Sequence, residues 1–305
     1  MAETINGQNQ KTPFIKILSQ TVKTGIIRSN LVPMFAGLTL SLYTYQISIT
    51  DKLWEILFAF LGSIFVIGAA GAFNNLYDRE IDAIMKRTQG RPTVTGEIRP
   101  GTVLWLGIIM AVAGIILLCL TTPLAGFLGF LGLFFYIFPY TMWSKRRTVY
   151  NTEIGSISGA MPPLIGWAAM YPDITHPAIL GLFVIAVIWQ MPHFYSIAIR
   201  RHEEYQAAGV PMLPVVKGVR RTYIQTNIYL IIMFGISFLL SSLSVGLMLV
   251  SLIMSLGWLI LSIFGYQRMN PEKWAKSMFI YSLIHMTVVF STVIIYSLMG
   301  IIFKL

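Results

Sequence analysis

Long apolar runs broken by short polar segments dominate the chain. Nine of them approach the roughly 20 residues that a helix needs to cross the hydrocarbon core of a bilayer. They lie near residues 28–47, 54–76, 102–121, 124–142, 153–171, 177–199, 224–243, 245–266 and 278–300. The separators after the third run (Thr121, Thr122, Pro123) and the seventh (Ser241 to Gly246) are the shortest. No polar segment is long enough to bury a core of its own, and no short repeat is visible, so chemistry has to take place on or in the bundle. The pattern predicts an all-α polytopic membrane protein, with an N-terminal cytoplasmic segment over 1–24 and a nine-helix transmembrane domain over 25–305 around a cytoplasm-facing cavity.

Composition agrees with the pattern. Of 305 residues, 56% are hydrophobic and 11% charged, whereas a soluble domain carries about a quarter charged residues. The single cysteine, Cys119, sits in an apolar run, which excludes an internal disulfide and any cysteine-rich metal or iron–sulfur centre. The net charge of +10 would suit nucleic acid, but its placement gives another reason. With the N-terminus inside, nine spans put all but Lys52 and Lys304 of the 22 Lys and Arg on cytoplasmic segments. The expected partner of this charge is membrane lipid, and no nucleic acid is needed to explain it. Odd spans also predict an external C-terminus.

Residues 1–24 are polar, carry Glu3 early, and match neither a cleaved signal nor an Arg-rich import leader. Phe14, Ile17 and Leu18 share a helical face with Lys11, Lys16 and Lys23 nearby. That fits a short helix on the membrane surface as well as a disordered tail.

The second run ends in Asn74, Asp78 and Asp82, spaced by four, so on a helix the three side chains share one slowly drifting face. Carboxylates at the negative pole of a helix repel one another unless something positive neutralises them. An all-oxygen set with one amide suits Mg²⁺, which keeps waters or phosphate oxygens and needs few protein ligands when the substrate is a diphosphate. Three polar residues merely marking the lipid boundary is the bland alternative, and the shared register argues against it. Glu80 falls off that face and is expected in solvent. Lys86, Arg87 and Arg91 follow, as positive-inside residues or as clamps on phosphate oxygens. Pro92, Gly96, Pro100 and Gly101 imply a shaped loop that can fold over a ligand.

Farther on, Lys145 and Arg146 close span 4, as snorkelling cations or phosphate ligands, and Asn151 and Glu153 open span 5. Gly155 to Ala160 form a small-residue face for close helix approach, and Pro162-Pro163 should break or kink this span. Gln190 and His193 in span 6 share a face beside Pro192, either in the site or as hydrogen-bonded interior groups. Glu203 and Glu204 read as a second acidic group or as a solvated loop, and Lys217 follows the turn-rich stretch Gly209 to Pro214 within reach of phosphate. Spans 7–9 carry little that ionises and read as scaffold.

Asn74-x-x-x-Asp78-x-x-x-Asp82 at the end of the second span resembles the first aspartate-rich motif of the UbiA superfamily of intramembrane prenyltransferases. The likeness extends over almost the whole chain. Trp189 to Phe194, Ala208 to Pro214 and Gly159 to Trp167 are similar to the branch that farnesylates protohaem. The resemblance implies an enzyme of a bacterial plasma membrane with Mg²⁺ as cofactor, held by Asn74, Asp78 and Asp82 against farnesyl diphosphate. Lys86, Arg87, Arg91, Lys145 and Arg146 would neutralise the leaving group, haem B would be the acceptor, and a downstream haem-modifying enzyme is a candidate partner. Superfamily members often carry a second Asp-x-x-x-Asp after span 6, where this chain has Arg200-Arg201-His202-Glu203-Glu204-Tyr205. That departure leaves the number of Mg²⁺ ions and the roles of His193, Glu203 and Glu204 open. The alternatives are a prenyltransferase for another aromatic acceptor such as a quinone precursor, a membrane transporter, and a haem-binding redox carrier.

Overall fold

A computed structural model describes residues 12–303, so Lys11 and Lys304 lie outside the described residues. In chain order the α-helices are α1 (Phe14–Thr21), α2 (Thr24–Thr44), α3 (Leu53–Tyr77), α4 (Arg79–Ile84), α5 (Pro92–Thr95), α6 (Pro100–Thr121) and α7 (Pro123–Phe135). They continue as α8 (Asn151–Gly159), α9 (Met161–Met170), α10 (Pro177–Arg200), α11 (His202–Ala207), α12 (Leu213–Ile236), α13 (Val245–Arg268) and α14 (Pro271–Phe303). Among the described residues, eight stretches of helix are long and apolar enough to cross a membrane. The expected fifth span is the exception: it consists of α8 and α9, 9 and 10 residues long, joined at Ala160. Laid end to end they reach about 30 Å, one bilayer core. The break precedes the prolines, because Pro162 and Pro163 are accommodated in the first turn of α9, where missing N–H groups cost nothing.

Every residue of α9 is buried, which makes it the centre of the bundle. Its main partner, α2, approaches until backbones touch. A Cβ on Gly37 would sit 1.9 Å from the Pro163 carbonyl oxygen, and one on Gly166 would sit 1.9 Å from that of Met34. Two reciprocal glycines thus replace side-chain packing with direct helix contact, the usual device where lipid offers no hydrophobic drive.

Two local distortions aim residues inward. The eight residues Tyr136–Trp143, after α7, form a π-helix around Pro139, whose missing N–H disrupts the regular ladder. The second is the docking of α1 on α3. Asn75 Nδ2 donates to the Gln20 and Thr21 carbonyls at 3.0 and 2.9 Å. The chain then turns through Lys23 in the left-handed region, φ 56°.

Candidate active site

Asn74, Asp78 and Asp82 are all buried, as their shared register predicts, although the helix does not run straight through them. Asn74 is in the last turn of α3, Asp78 is the break, and Asp82 lies on α4. The helical bonding pattern survives the break, with Asp78 N–H donating to the Asn74 carbonyl at 2.9 Å and Asp82 N–H to that of Asp78 at 2.8 Å. The three side chains therefore stay together.

Each of them meets a cation from a different part of the chain. Lys23 donates to Asn74 Oδ1, Lys145 pairs with Asp78 Oδ2, and Arg91 pairs with Asp82 Oδ2. Asn74 Nδ2 in turn donates to Asp78 Oδ2 at 2.7 Å and weakly to Thr141 Oγ1 at 3.3 Å. Desolvation holds Lys23 well below the ordinary lysine pKa, and the nearby charges of Arg91 and Lys145 push the same way, against Asp78 and Asp82. Among the described residues, Asp78 Oδ1 is buried without a protein partner. A hard, all-oxygen donor set with an orphaned carboxylate oxygen fits a Mg²⁺ ion.

This cluster forms the mouth of a cavity of about 470 Å³. Lys23, Asn74, Asp82, Arg87, Arg91 and Lys145 line its polar end. Against the carboxylates of Asp78 and Asp82, Arg87, Arg91 and Lys145 leave the mouth positive before any metal binds, without counting Lys23. Beyond it the walls turn apolar and aromatic, with Tyr136 and Tyr140 from the π-helix, Leu133, Met161, Met286 and Phe290. Trp189, Gln190 and His193 line it as well, about two to three turns from the C-terminal end of α10. Gln190 is fixed by donating to the Ser156 and Ala186 carbonyls, both at 2.9 Å, and any Cβ on Gly159 would collide with it.

Other candidates from the sequence stand elsewhere. Lys86, Glu203 and Lys217 are exposed and do not line the cavity. Glu204 pairs with Arg201 at 2.8 Å and accepts from the Arg87 backbone N–H at 3.4 Å, which ties α11 to the loop after α4. Arg146 packs over the Tyr77 ring and donates to the Tyr77 carbonyl at 3.0 Å, outside the cavity. Asn151 is buried and donates to the Thr148 and Pro211 carbonyls, a structural role. Exposed Glu80 reaches only Arg146, at 3.7 Å. Sequence reasoning missed Lys23, Tyr136 and Tyr140. The two tyrosines, four apart around a proline, were the available signal; Lys23 gave none beyond its charge.

Another acid, the half-buried Glu153 on α8, differs in kind. Its Oε1 accepts from Tyr195 Oη, from Gln225 Nε2 at 2.7 Å and from Tyr229 Oη at 3.1 Å, which joins α8 to α10 and α12. It does not line the cavity.

Known proteins share this architecture and sequence. Residues 30–284 match the UbiA prenyltransferase family. The chain is 71% identical over 301 residues to protoheme IX farnesyltransferase 1 of Bacillus cytotoxicus, covering 99% of this chain and 98% of that one. It is 42% identical to protoheme IX farnesyltransferase 2 of Bacillus subtilis, covering 96% of each. Among solved structures, a digeranylgeranylglyceryl phosphate synthase superposes with a TM-score of 0.75 at 16% identity, covering 93% of this chain and 98% of that one. A UbiA homolog from Archaeoglobus fulgidus bound to GPP and Mg²⁺ gives 0.65 at 14%, covering 91% and 99%. With its helical bundle, its oxygen-lined mouth and these relatives, the chain belongs to the UbiA prenyltransferase family of integral membrane enzymes.

Proposed function

We propose that this enzyme transfers the farnesyl group of farnesyl diphosphate to a vinyl group of haem B, producing haem O. The observation that carries this reading is a cavity that joins a cationic, oxygen-rich mouth to an apolar and aromatic chamber lined in part by His193. A diphosphate needs the first and a prenyl chain with a flat macrocycle needs the second. The named activity of the Bacillus relatives supports the same donor and acceptor.

Asn74, Asp78 and Asp82 are the residues that would hold Mg²⁺. When bound, the ion supplies Lewis-acid stabilisation of charge developing on the departing phosphate oxygens. Lys23, Arg87, Arg91 and Lys145 are placed to bind the same oxygens, Arg91 and Lys145 releasing Asp82 and Asp78 as they do so. The C1–O bond breaks and its electron pair leaves with diphosphate. Preorganised cations lower the cost of that charge in a site shielded from water. Tyr136, Tyr140 and Trp189 line the cavity, where aromatic rings would screen the allylic cation from water and favour it electrostatically. The terminal vinyl carbon of the haem supplies the electrons for the new C–C bond. Cationic charge then appears on the carbon beside the ring, where water adds and loses a proton to give a hydroxyethylfarnesyl group.

The count of eight long helices plus one broken pair supports an odd number of crossings, with the N-terminus cytoplasmic and the C-terminus external in a bacterial plasma membrane. The test of function is incubation of the purified protein in detergent with haem B, farnesyl diphosphate and Mg²⁺. Mass spectrometry should show a farnesylated, hydrated haem; no product from the wild type sinks the reading. A quinone precursor farnesylated in its place would identify the other acceptor class.

A further inference from the structure

The part of the cavity wall supplied by α10 contains a histidine whose tautomer is fixed by its neighbours. His193 Nδ1 lies 2.7 Å from Ser282 Oγ on α14. The one hydroxyl proton of Ser282 is committed to the Phe279 carbonyl, 2.5 Å away, so Ser282 Oγ accepts and Nδ1 carries the proton. A neutral imidazole protonated at Nδ1 leaves its lone pair on Nε2. Among the described residues Nε2 has no hydrogen-bond partner, it is not sealed in the protein, and the side chain lines the cavity.

The ring is also held against rotation. Trp189, one turn earlier on α10, stacks on it with centroids 4.4 Å apart and planes 19° apart, while Phe279 lies at 5.1 Å and Phe194 presents an edge at 5.1 Å. Trp189 is itself pinned, because its Nε1 donates to the Ser282 carbonyl at 2.8 Å. Residue 282 therefore positions both rings, through its hydroxyl and through its backbone. A hydrogen bond behind a histidine that orients it and raises the basicity of its other nitrogen is the arrangement found at metal-ligating histidines. A histidine serving only to bind a carboxylate would need a proton on Nε2 instead.

We propose that His193 Nε2 is an axial ligand to the iron of the haem acceptor, with Ser282 as its positioning residue. This rests on the haem-acceptor reading and adds what fixes the macrocycle: coordination sets the distance of the ring from α10, so that a vinyl edge can be held beside the farnesyl C1. Neutral imidazole is a common protein ligand of haem iron, which makes the assignment chemically ordinary once the acceptor is haem.

The test compares haem B with iron-free protoporphyrin IX, both titrated into the purified full-length protein in detergent. For the wild type, haem B should give the absorption and resonance Raman signature of a histidine-ligated iron. His193→Ala should lose that signature and weaken haem B by about tenfold or more, with protoporphyrin IX affected less than about twofold. Added imidazole should restore the spectrum to His193→Gly. Ser282→Ala should keep the ligand but weaken the iron–nitrogen stretch. Unchanged Mg²⁺-dependent binding of farnesyl diphosphate by each variant reports that the bundle is intact. An unaltered iron spectrum in His193→Ala, or equal weakening of haem and protoporphyrin, overturns the ligand assignment and leaves the acceptor reading standing. A wild type that binds neither porphyrin overturns both.

Discussion

Two acidic sites lie within the same bundle, one buried at Asp78 and Asp82 and one half-buried at Glu153, and they are neutralised in opposite ways. Asp78 and Asp82 are countered by full charges carried on long side chains, Lys145 and Arg91, at the edge of a cavity. Glu153 is countered by neutral hydroxyl and amide donors of Tyr195, Gln225 and Tyr229 that join three helices away from the cavity. The difference teaches what each site is for. Long cations beside a cavity can turn from carboxylate to diphosphate, so the first site is exchangeable. Fixed neutral donors between packed helices have nowhere to turn, so the second is a clamp.

Substitutions should separate the two. The largest effect is expected from Asp78→Asn, which removes a carboxylate while keeping size and hydrogen bonding; single-turnover farnesyl transfer should fall by about 10²–10³-fold with little change in thermal stability. Chelation of Mg²⁺ should abolish wild-type turnover, with recovery on adding the ion back. Lys145→Met should come next. It leaves buried Asp78 without its cation, and the KM for farnesyl diphosphate should rise about tenfold or more as one leaving-group contact is lost. Glu153→Ala should behave the other way round. Stranding three donors costs about 1–3 kcal/mol of stability, seen as a lower melting temperature in detergent, while the folded fraction turns over within a few-fold of wild type. Lys217→Ala and Glu203→Ala, outside the cavity, should change turnover by less than about twofold.

The bundle was legible because lipid demands long apolar helices, and that demand leaves a mark on every span. The Asn74, Asp78, Asp82 set was legible for a related reason: oxygen-bearing groups in register at the end of an apolar helix are costly enough to need an explanation. The cations were harder. Lys23 reads in the sequence as one more positive-inside charge, and only the docking of α1 by Asn75, followed by a left-handed turn, brings it to Asn74. The same ambiguity worked in reverse for Lys86, Glu203 and Lys217, whose charges suggested a role while their positions leave them in solvent. Tyr136 and Tyr140 were hidden in an apolar run because a π-helix, not an α-helix, decides which way they face. The prolines of the fifth span announced a break, yet its position at Ala160 follows from where a helix tolerates proline.

The central claim is that the three oxygen ligands at the end of α3 and on α4 bind the donor diphosphate, and that buried acidity alone does not. The most direct measurement is Mg²⁺-dependent binding of farnesyl diphosphate by the wild type, Asp78→Asn and Glu153→Gln in parallel, by calorimetry in detergent. The account predicts that Asp78→Asn loses the Mg²⁺-dependent part of the affinity and that Glu153→Gln retains it. Undiminished Mg²⁺-dependent binding by Asp78→Asn, or its loss in a folded Glu153→Gln, would contradict it.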